Sequence, residues 1–328
     1  MNILVTGGSG FIGSHLTDRL LAEGHTVTVV DDLSTGSRKN LSHHSSHPGL
    51  KFVHSDLGDP ELVNQLCESA DMVYHLAAAV GVALIAKYPI QTIHRNIYPT
   101  QLLLDELRRQ HLSGRSVPLF LASTSEVYGK NPKSIWSESD ALVFGATTKP
   151  RWSYGASKAI DEFLALACVR ECQMPIVIGR FFNVVGPRQT GAYGMVLPRF
   201  VTAAIQHQPL IVHDDGKQER CFAHVSDVVN AVTTLMKTPE SFGRIYNIGS
   251  DQPVSILEMA ERVVAIVGSD SKIVFQSYAD AYDQDFEDIR RRVPDLSRIR
   301  QAIGYAPKLG LDQIIADVWR SLRESQPV

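Results

Sequence analysis

Long apolar runs and targeting signals are absent from this chain of 328 residues. The longest run without a polar residue is 76–86, LAAAVGVALIA, which is too short to cross a bilayer that needs about 20 residues. The N-terminus, MNILVTGGSG, has neither a basic region nor a small-residue cleavage site. We therefore expect a cytoplasmic protein that does not span a membrane.

Cysteine pairs and surplus charge are also missing. The four cysteines, Cys67, Cys168, Cys172 and Cys221, contain no Cys-x-x-Cys spacing, so no disulfide framework is expected. The 32 basic and 35 acidic residues nearly balance, which argues against a general nucleic-acid binder. The histidines of the polar segment 41–49, LSHHSSHPG, have no acidic residues spaced beside them, and we expect no metal site there.

Apolar strands alternate regularly with helices through the first half of the chain. After the opening strand and helix, strands are predicted at Lys51–His54, Met72–His75, Pro118–Ala122 and Pro175–Gly179. Helices are predicted at Phe11–Ala22, Pro60–Cys67, Ile90–Arg109, Ser153–Arg170, Pro198–Gln206, Val225–Met236 and Ile256–Val267. Continuously apolar strands are typical of a parallel sheet covered on both faces. The pattern predicts a doubly wound α/β fold, with a first domain over 1–182 that returns near 221–250 and a smaller α/β lobe over 183–328.

A glycine-rich turn joins the first strand to the first helix. Gly7, Gly10 and Gly13 have the spacing Gly-x-x-Gly-x-x-Gly, and Asp31 ends the next strand 18 residues after Gly13. Glycines let the backbone approach a pyrophosphate, and the helix N-terminus offers amides and a positive dipole. A carboxylate at Asp31 can accept from both ribose hydroxyls and would repel a 2′-phosphate. The turn therefore predicts a Rossmann domain that binds NAD in preference to NADP.

Tyr154 and Lys158 lie four residues apart at the start of a predicted helix, so that they share one face. A nearby lysine and a cationic nicotinamide both favour the ionised phenol, and a base that works near pH 7 needs its pKa lowered by roughly 3 units, or about 4 kcal/mol. Such a tyrosinate could remove a proton from a substrate hydroxyl as hydride leaves the same carbon. Hydroxyls of Ser123, Thr124 or Ser125, just after a strand, could bind the same oxygen.

Taken together, these features resemble the extended short-chain dehydrogenases/reductases, the group of nucleotide-sugar epimerases, dehydratases and decarboxylases. The resemblance extends from Asn2 to about Val318. It is carried by TGGSGFIGSH (6–15), VDDLSTG (30–36), Asp56-Leu57, HLAA (75–78), STSEVYG (123–129), Tyr154/Lys158, RFFNVVGPR (180–188), Arg220 and RRVPD (291–295).

This resemblance implies roles for individual residues. The cofactor, NAD, would be bound by Gly7, Gly10, Phe11, Ile12, Gly13, Asp31, Asp32, Asn40, Asp56, Leu57, Leu76, Ala77, Ala78, Asn96, Tyr154 and Lys158. A UDP-sugar would be bound by Asn183, Arg188, Val196, Arg220, Arg292 and Asp295, since a diphosphate needs cations or amides and arginine offers planar paired donors. Tyr154, Lys158, Thr124, Ser125 and Glu126 would be catalytic. Members of the group also suggest a homodimer formed through the helices Ile90–Arg109 and Ser153–Arg170.

Oxidation of the sugar at C4 is the shared first step that the resemblance implies, and the 4-keto sugar then has three fates. Dehydration needs the Thr-Asp-Glu triplet of that subfamily, whereas this chain has Thr124-Ser125-Glu126, so dehydration is disfavoured. Decarboxylation of a uronate is a serious alternative, because UDP-glucuronate decarboxylases resemble the chain at Ser125, Glu126, KPRWSY (149–154) and Arg292. We narrowly favour 4-epimerisation of UDP-glucose or UDP-glucuronate, since 186–200 and 286–300 resemble bacterial UDP-sugar 4-epimerases.

Several choices stay open at this level. Glu126 is either the decisive group or a hydrogen-bond anchor. If the sugar is a uronate, Arg188 or Arg292 could clamp its carboxylate near the carbonyl plane and so suppress decarboxylation. The identity of the sugar would depend on Val80–Leu84, Lys87 and Tyr193–Leu197. A protein that binds NAD as a sensor or scaffold without turnover is the alternative from another class, although both Tyr154 and Lys158 are present.

Overall fold

The computed structural model describes residues 1–79, 88–191, 195–278 and 289–325. Val80–Leu84 and Lys87, expected to select the sugar, lie outside the described residues, as do Tyr193 and Gly194. None of the described helices combines the length and the apolar character needed to cross a membrane.

A seven-stranded parallel sheet forms the centre of the fold, in the order β11-β6-β5-β4-β1-β2-β3. Its strands are β1 (Asn2–Thr6), β2 (Thr26–Asp31), β3 (Leu50–His54), β4 (Met72–His75), β5 (Leu119–Thr124), β6 (Ile176–Phe181) and β11 (Arg244–Ile248). The order reverses between β1 and β4, and this is the place where doubly wound sheets leave a crevice at the carboxyl ends of the strands. The predicted fold class is confirmed.

Nine described helices surround this sheet and the C-terminal half. They are α1 (Phe11–Ala22), α2 (Pro60–Ser69), α3 (Pro89–Leu112), α4 (Trp152–Cys172), α5 (Val196–Ile205), α6 (Val225–Met236), α7 (Ile256–Val267), α8 (Ser297–Ile303) and α9 (Leu311–Ser325). Helices α1 and α6 pack against one face of the sheet, and α2, α3 and α4 pack against the other. Both faces are thereby buried, which explains why the strands are continuously apolar.

Local sequence signals explain several helix starts. Asp59 caps α2 by accepting from the amide of Glu61, and Pro60 occupies the first helical position. Ser255 caps α7 by accepting from the amide of Glu258 at 3.0 Å, which is the Ser-x-x-Glu pattern of a capping box. The predicted bounds of α1, α6, α7 and β4 agree with the structure to the residue.

Short strand pairs build the C-terminal half, and none of them was predicted from local pattern. They are β7 (Val184–Val185) with β10 (Ala223–His224), β8 (Leu210–His213) with β13 (Ile273–Gln276), and β9 (Glu219–Cys221) between β12 (Pro253–Ser255) and β14 (Arg291–Arg292). Helices α5, α7 and α9 form a separate apolar core with β8. Strands of two to four residues are too short to leave a periodic signal in the sequence. Their partners also lie far away in the chain, so no local pattern indicates the pairing.

Candidate active site

A cavity of about 550 Å³ lies along the carboxyl ends of the sheet strands. Its lining includes the glycine-rich turn, the residues after β4, the end of β5, the start of α4 and several segments of the C-terminal half. The cavity therefore sits at the predicted crevice, between the Rossmann sheet and the part of the chain expected to bind substrate.

The glycine-rich turn needs its glycines for close packing. Gly7 has φ +68°, and a Cβ at Gly7 would lie 2.8 Å from the backbone nitrogen of Ala77. A Cβ at Gly13 would lie 2.1 Å from the carbonyl oxygen of Gly7. Backbone from this turn and the first residues of α1 thus lines the cavity directly, through Gly7, Gly10, Phe11, Ile12 and Gly13. This bare turn at a helix N-terminus fits the pyrophosphate of a dinucleotide.

Asp31 lines the cavity beside the glycine-rich turn. Its Oδ2 accepts from the amide of Ser9 at 2.9 Å and its Oδ1 from the amide of Leu33 at 2.8 Å. Burial raises the pKa of Asp31, and these amide hydrogen bonds oppose the rise. Asp31 lines the cavity together with Asp32, Asp56, Leu57, Leu76, Ala77 and Ala78. The carboxylate is thus held beside the turn, where it could accept hydrogen bonds from the two hydroxyls of a ribose.

Asn40 and Asn96, also expected to bind the cofactor, are not part of the described cavity lining. Asn40 Nδ2 donates to the carbonyl oxygen of Ser9 at 2.9 Å and so braces the glycine-rich turn. Asn96 Oδ1 accepts from the amide of Ala79 at 2.7 Å, and its Nδ2 donates to Ser157 Oγ at 3.1 Å. Both amides are engaged by the protein, and their direct role toward a cofactor stays a prediction.

Tyr154 and Lys158 lie in the first turns of α4, and both line the cavity. Lys158 donates from Nζ to Asp161 Oδ2 at 2.8 Å, and both side chains are buried. The expected lowering of the Tyr154 pKa is not found in the protein alone. Burial raises that pKa, the charge of Glu126 raises it further, and a hydrogen bond with Thr124 opposes the rise.

Thr124 ends β5, and Ser125 and Glu126 begin the single 3₁₀ turn Ser125–Tyr128 that follows it. All three line the cavity. Glu126 Oε1 lies 2.7 Å from Arg292 Nη2, and Glu126 Oε2 lies 3.6 Å from Arg151 Nη2. Burial disfavours the charged carboxylate, but the charges of Arg292 and Arg151 hold the pKa of Glu126 below its usual range.

Arg292 completes this cluster from the short strand β14. Its side chain is 9% exposed and lines the cavity. Its Nη1 lies 3.5 Å from Ser125 Oγ, while the buried Nε has no hydrogen-bond acceptor among the described residues. The charges of Arg292, Arg151 and Arg220 all act on the carboxylate of Glu126, and all four side chains line the cavity. A buried, unpaired N–H donor is costly unless a ligand accepts from it.

The remaining residues expected to bind UDP divide into two groups. Asn183, Val196 and Arg220 line the cavity. Arg188 and Asp295 are not part of the described lining. Arg188 Nη2 pairs with Asp18 Oδ2 of α1 at 2.7 Å. Asp295 Oδ1 accepts from the amide of Ser297 at 2.8 Å, at the start of α8.

Other residues that line the cavity were not predicted from the sequence. Gln218 Nε2 donates to the hydroxyl of Tyr278 at 2.7 Å, and the Tyr278 ring stacks on His213 at 5.8 Å. These residues meet through the β8–β13 pair, so no local spacing could have joined them. Asp161, in contrast, lies three residues after Lys158 on one helix, and its position could have been inferred from the i, i+3 rule.

Comparisons with known proteins agree with this site. The model of the NAD dependent epimerase/dehydratase family matches residues 3–249. The UDP-N-acetyl-alpha-D-glucosaminuronate decarboxylase of Bacillus cytotoxicus is 38% identical over 322 residues, which cover 98% of this chain and 97% of that protein. UDP-glucuronic acid decarboxylase 1 of Xenopus tropicalis is 33% identical, over 95% of this chain and 69% of that protein. The crystal structure of UDP-glucuronic acid 4-epimerase from Bacillus cereus, in complex with UDP-glucuronic acid and NAD, is 26% identical with a TM-score of 0.86, over 99% of both chains.

Proposed function

Because this chain belongs to the NAD dependent epimerase/dehydratase family, we propose that it is a decarboxylase of a UDP-linked uronic acid, acting through a 4-keto sugar. The chain is an NAD-dependent enzyme of nucleotide-sugar chemistry, and the proposal concerns its reaction. The sequence by itself favoured 4-epimerisation. The decarboxylase alternative is now preferred because of the arginine cluster around Glu126 and because the relatives above are named as uronate decarboxylases.

The single observation that carries the proposal is the cluster of Glu126, Arg151 and Arg292 beside Tyr154. Three arginines, Arg151, Arg220 and Arg292, line this part of the cavity, and Glu126 pairs with Arg292 and Arg151. The N–H of Arg292 Nε lacks an acceptor among the described residues. A sugar carboxylate could accept a hydrogen bond from this N–H and pair with the Arg292 guanidinium.

The chemistry then runs through this chain's own residues. Tyr154, as a phenolate, takes the proton of the C4 hydroxyl while hydride leaves C4, and the hydroxyl of Thr124 contacts the same phenol. The glycine-rich turn and Asp31 would hold NAD, which when bound would supply the hydride acceptor and a positive charge that favours the phenolate of Tyr154. The resulting C4 ketone makes the carboxylate a β-keto acid.

Loss of CO₂ breaks the C5–C6 bond and leaves its electron pair as an enolate between C4 and C5. Tyr154 is now protonated and donates a hydrogen bond to the oxygen on C4, which carries the developing charge. C5 then takes one proton from solvent, C4 regains its hydride, and its oxygen regains the proton from Tyr154. The net change is one proton consumed and one CO₂ released, and the product is a UDP-pentose.

Orientation decides between the two fates of the 4-keto uronate. Decarboxylation needs the C5–C6 bond perpendicular to the plane of the C4 carbonyl. Arg292 is held by Glu126 at 2.7 Å, and we propose that it binds the sugar carboxylate out of this plane, which is the reverse of the in-plane clamp considered for it in the sequence analysis. The clamp considered for Arg188 is not supported by its placement, because its side chain pairs with Asp18 outside the cavity lining.

A product assay tests the proposal. UDP-glucuronate and UDP-N-acetylglucosaminuronate labelled with ¹³C at C6 are incubated with the enzyme and followed by NMR. We expect the label in CO₂ and bicarbonate, in step with a UDP-pentose. Formation of a 4-epimer that keeps its label would overturn the proposal.

Replacement of Glu126 provides the matched variant. Glu126→Gln keeps the shape of the side chain but removes the charge that fixes Arg292 and Arg151, so we expect decarboxylation to fall by about 10²-fold through misplacement of the carboxylate. Glu68→Gln, an exposed side chain on α2, is the control and should keep full activity.

The second candidate is 4-epimerisation of a UDP-uronate. It is favoured by the likeness to the Bacillus cereus 4-epimerase and needs no residue beyond Tyr154 and Lys158, only room for the 4-keto sugar to turn. In the assay above, epimerisation and decarboxylation give different labelled products, so one experiment separates them.

We also propose that the enzyme is a homodimer. Helices α3 and α4 pack against each other and leave large apolar side chains exposed, among them Ile90 at 83% and Phe163 at 63%. Pairing of these two helices with the same helices of a second copy would bury this surface in a self-complementary interface.

A further inference from the structure

Three groups that can bind a metal converge beside α1, outside the described cavity lining. Asp18 comes from α1, whereas His43 and His44 come from the 3₁₀ turn Arg38–His44. His43 Nε2 lies 2.9 Å from Asp18 Oδ1, and His44 Nε2 lies 3.0 Å from the same oxygen. The possible ligand atoms of all three residues lie within 4.8 Å of one another. No metal site was expected here because no acidic residue is spaced beside these histidines in the sequence, whereas Asp18 lies 25 residues before His43.

Arg188 fixes the orientation of the shared carboxylate. Its Nη2 contacts Asp18 Oδ2 at 2.7 Å, on the oxygen that the two imidazoles do not use. Oδ1 therefore stays directed at the histidines. Hydrogen bonding of the non-ligating oxygen is the usual way in which a metal-binding carboxylate is held in place.

We propose that Asp18, His43 and His44 form a binding site for one Zn²⁺ or a similar borderline transition-metal ion, with water as the fourth ligand. Two neutral imidazole nitrogens and one carboxylate oxygen are a ligand set that Zn²⁺ accepts in tetrahedral geometry. Mg²⁺ and Ca²⁺ prefer all-oxygen sites and are not expected to bind.

The two nitrogen–oxygen separations are close to this geometry, and the two imidazole nitrogens lie within 4.8 Å of each other. Tetrahedral bonds of about 2.0–2.1 Å place neighbouring ligand atoms roughly 3.3 Å apart. The nitrogen–oxygen separations here are 2.9 and 3.0 Å, so shifts of a few tenths of an ångström would admit the ion in place of the two N–H protons. The side chain of His43 is 46% exposed, which gives the ion a route from solvent.

A metal at this position would connect both edges of the active site. Asn40, in the same turn as the histidines, donates to the carbonyl oxygen of Ser9 and braces the glycine-rich turn. Arg188 precedes Gln189 and Thr190, which line the cavity. The ion would therefore stabilise the turn on the cofactor side and, through Asp18 and Arg188, the segment on the substrate side. It takes no part in the reaction.

Titration of the metal-free, full-length protein with Co²⁺ and then Zn²⁺ tests this proposal. We expect one Co²⁺ per chain, with the visible absorption of tetrahedral cobalt, and its displacement by Zn²⁺. His44→Gln and Asp18→Asn should each weaken binding tenfold or more and abolish that spectrum.

His47→Gln is the control from the same loop. The His47 ring lies 5.6 Å from that of His44, but its Nδ1 accepts from the amide of Gly49, so this variant should bind Co²⁺ as the unchanged protein does. If Co²⁺ shows no saturable binding, or if His47→Gln weakens it as much as His44→Gln does, the loop is only a histidine-rich surface and the proposal is wrong.

Discussion

Lys158 donates to Asp161 within a single buried helical turn, at a distance of 2.8 Å between Nζ and Oδ2. The side chains are 3% and 0% exposed. The neighbouring carboxylate, Glu162, is engaged by Arg180 at 2.6 Å, so it is Asp161 that pairs with the active-site lysine. Asp161 therefore fixes the side chain of Lys158, which lies one turn after Tyr154 on α4, and also places a negative charge near the phenol.

Asp161→Asn should move the pH dependence of the reaction. The charge of Asp161 contributes to the raised pKa of Tyr154. Without that charge the pKa of Tyr154 falls, and because the phenolate is the active form, the rising limb of the kcat–pH profile should move to lower pH. The measurement is kcat and KM across pH 5.5–9.5, a range chosen to span the limb on both sides of about pH 7.

The matched control for this change is Asp105→Asn, an exposed carboxylate on α3. It should leave the profile in place. A purely structural role for Asp161 would lower kcat at every pH without moving the limb, and that result would contradict the positioning role.

Much of this architecture follows from local sequence signals, and the exceptions have a common cause. The glycine-rich turn, Asp31 and the Tyr154–Lys158 spacing were predicted, and the structure brings all of them to one cavity. Each depends on residues that are close in the chain or on the order of strands in a parallel sheet. The raised pKa of Tyr154 was not predicted, because it depends on burial and on Glu126 from another element.

The side-chain direction of Arg188 could not be predicted from the motif in which it lies. The family resemblance implied a substrate-binding cation at Arg188, whereas the structure gives its backbone φ +68° and pairs its side chain with Asp18 of α1. The direction of a side chain in a loop is set by tertiary partners that lie far away in the sequence. The same holds for Arg292, whose position in the cavity comes from the pairing of β14 with β9.

Asp31→Asn should relax the preference for NAD over NADP. The charged carboxylate would accept hydrogen bonds from ribose hydroxyls and repel a 2′-phosphate. Asparagine removes the charge and keeps one acceptor oxygen, which can serve only one of the two amides, those of Ser9 and Leu33, that the carboxylate binds. A charged hydrogen bond is worth about 1.5–3 kcal/mol, so the KM for NAD should rise roughly 10- to 150-fold and the ratio of NAD to NADP affinity should fall. Fluorescence titration with both dinucleotides measures the ratio. An unchanged ratio would show that Asp31 does not face the ribose.

His75 should make the fold sensitive to mild acid. Its Nδ1 lies 2.7 Å from Thr6 Oγ1 and its Nε2 lies 3.0 Å from Thr100 Oγ1. Burial, followed by the charge of Lys158, lowers the pKa of His75 from 6.5 to about 3. As the pH falls, His75 of the unfolded chain therefore binds a proton at a higher pH than His75 of the folded protein does. The free energy of unfolding contributed by His75 is complete above about pH 6.5 and is lost as the pH falls toward 3, by about 1.4 kcal/mol per pH unit.

Urea unfolding at pH 7.5 and pH 5.5 measures this effect. His75→Gln should lower the free energy of unfolding at pH 7.5 but reduce its loss between the two pH values. His54→Gln, at an exposed histidine at the end of β3, should keep the full loss. Equal pH dependence in His75→Gln and the unchanged protein would contradict the assignment.

Phe163→Glu should dissociate the proposed dimer. Phe163 on α4 is 63% exposed, and Ile160, three residues earlier on the same face, is 44% exposed. Ile90 and Ile93 on α3 extend this apolar surface. An aromatic anchor at the centre of an interface typically contributes 2–4 kcal/mol, so a buried charge there should raise the dissociation constant about 30-fold or more. Analytical ultracentrifugation measures the constant.

Phe275→Glu places the same charge at a phenylalanine that is 53% exposed on β13, away from α3 and α4, and should leave the dimer intact. A monomeric unchanged protein, or equal dissociation by both variants, would contradict an interface through α3 and α4.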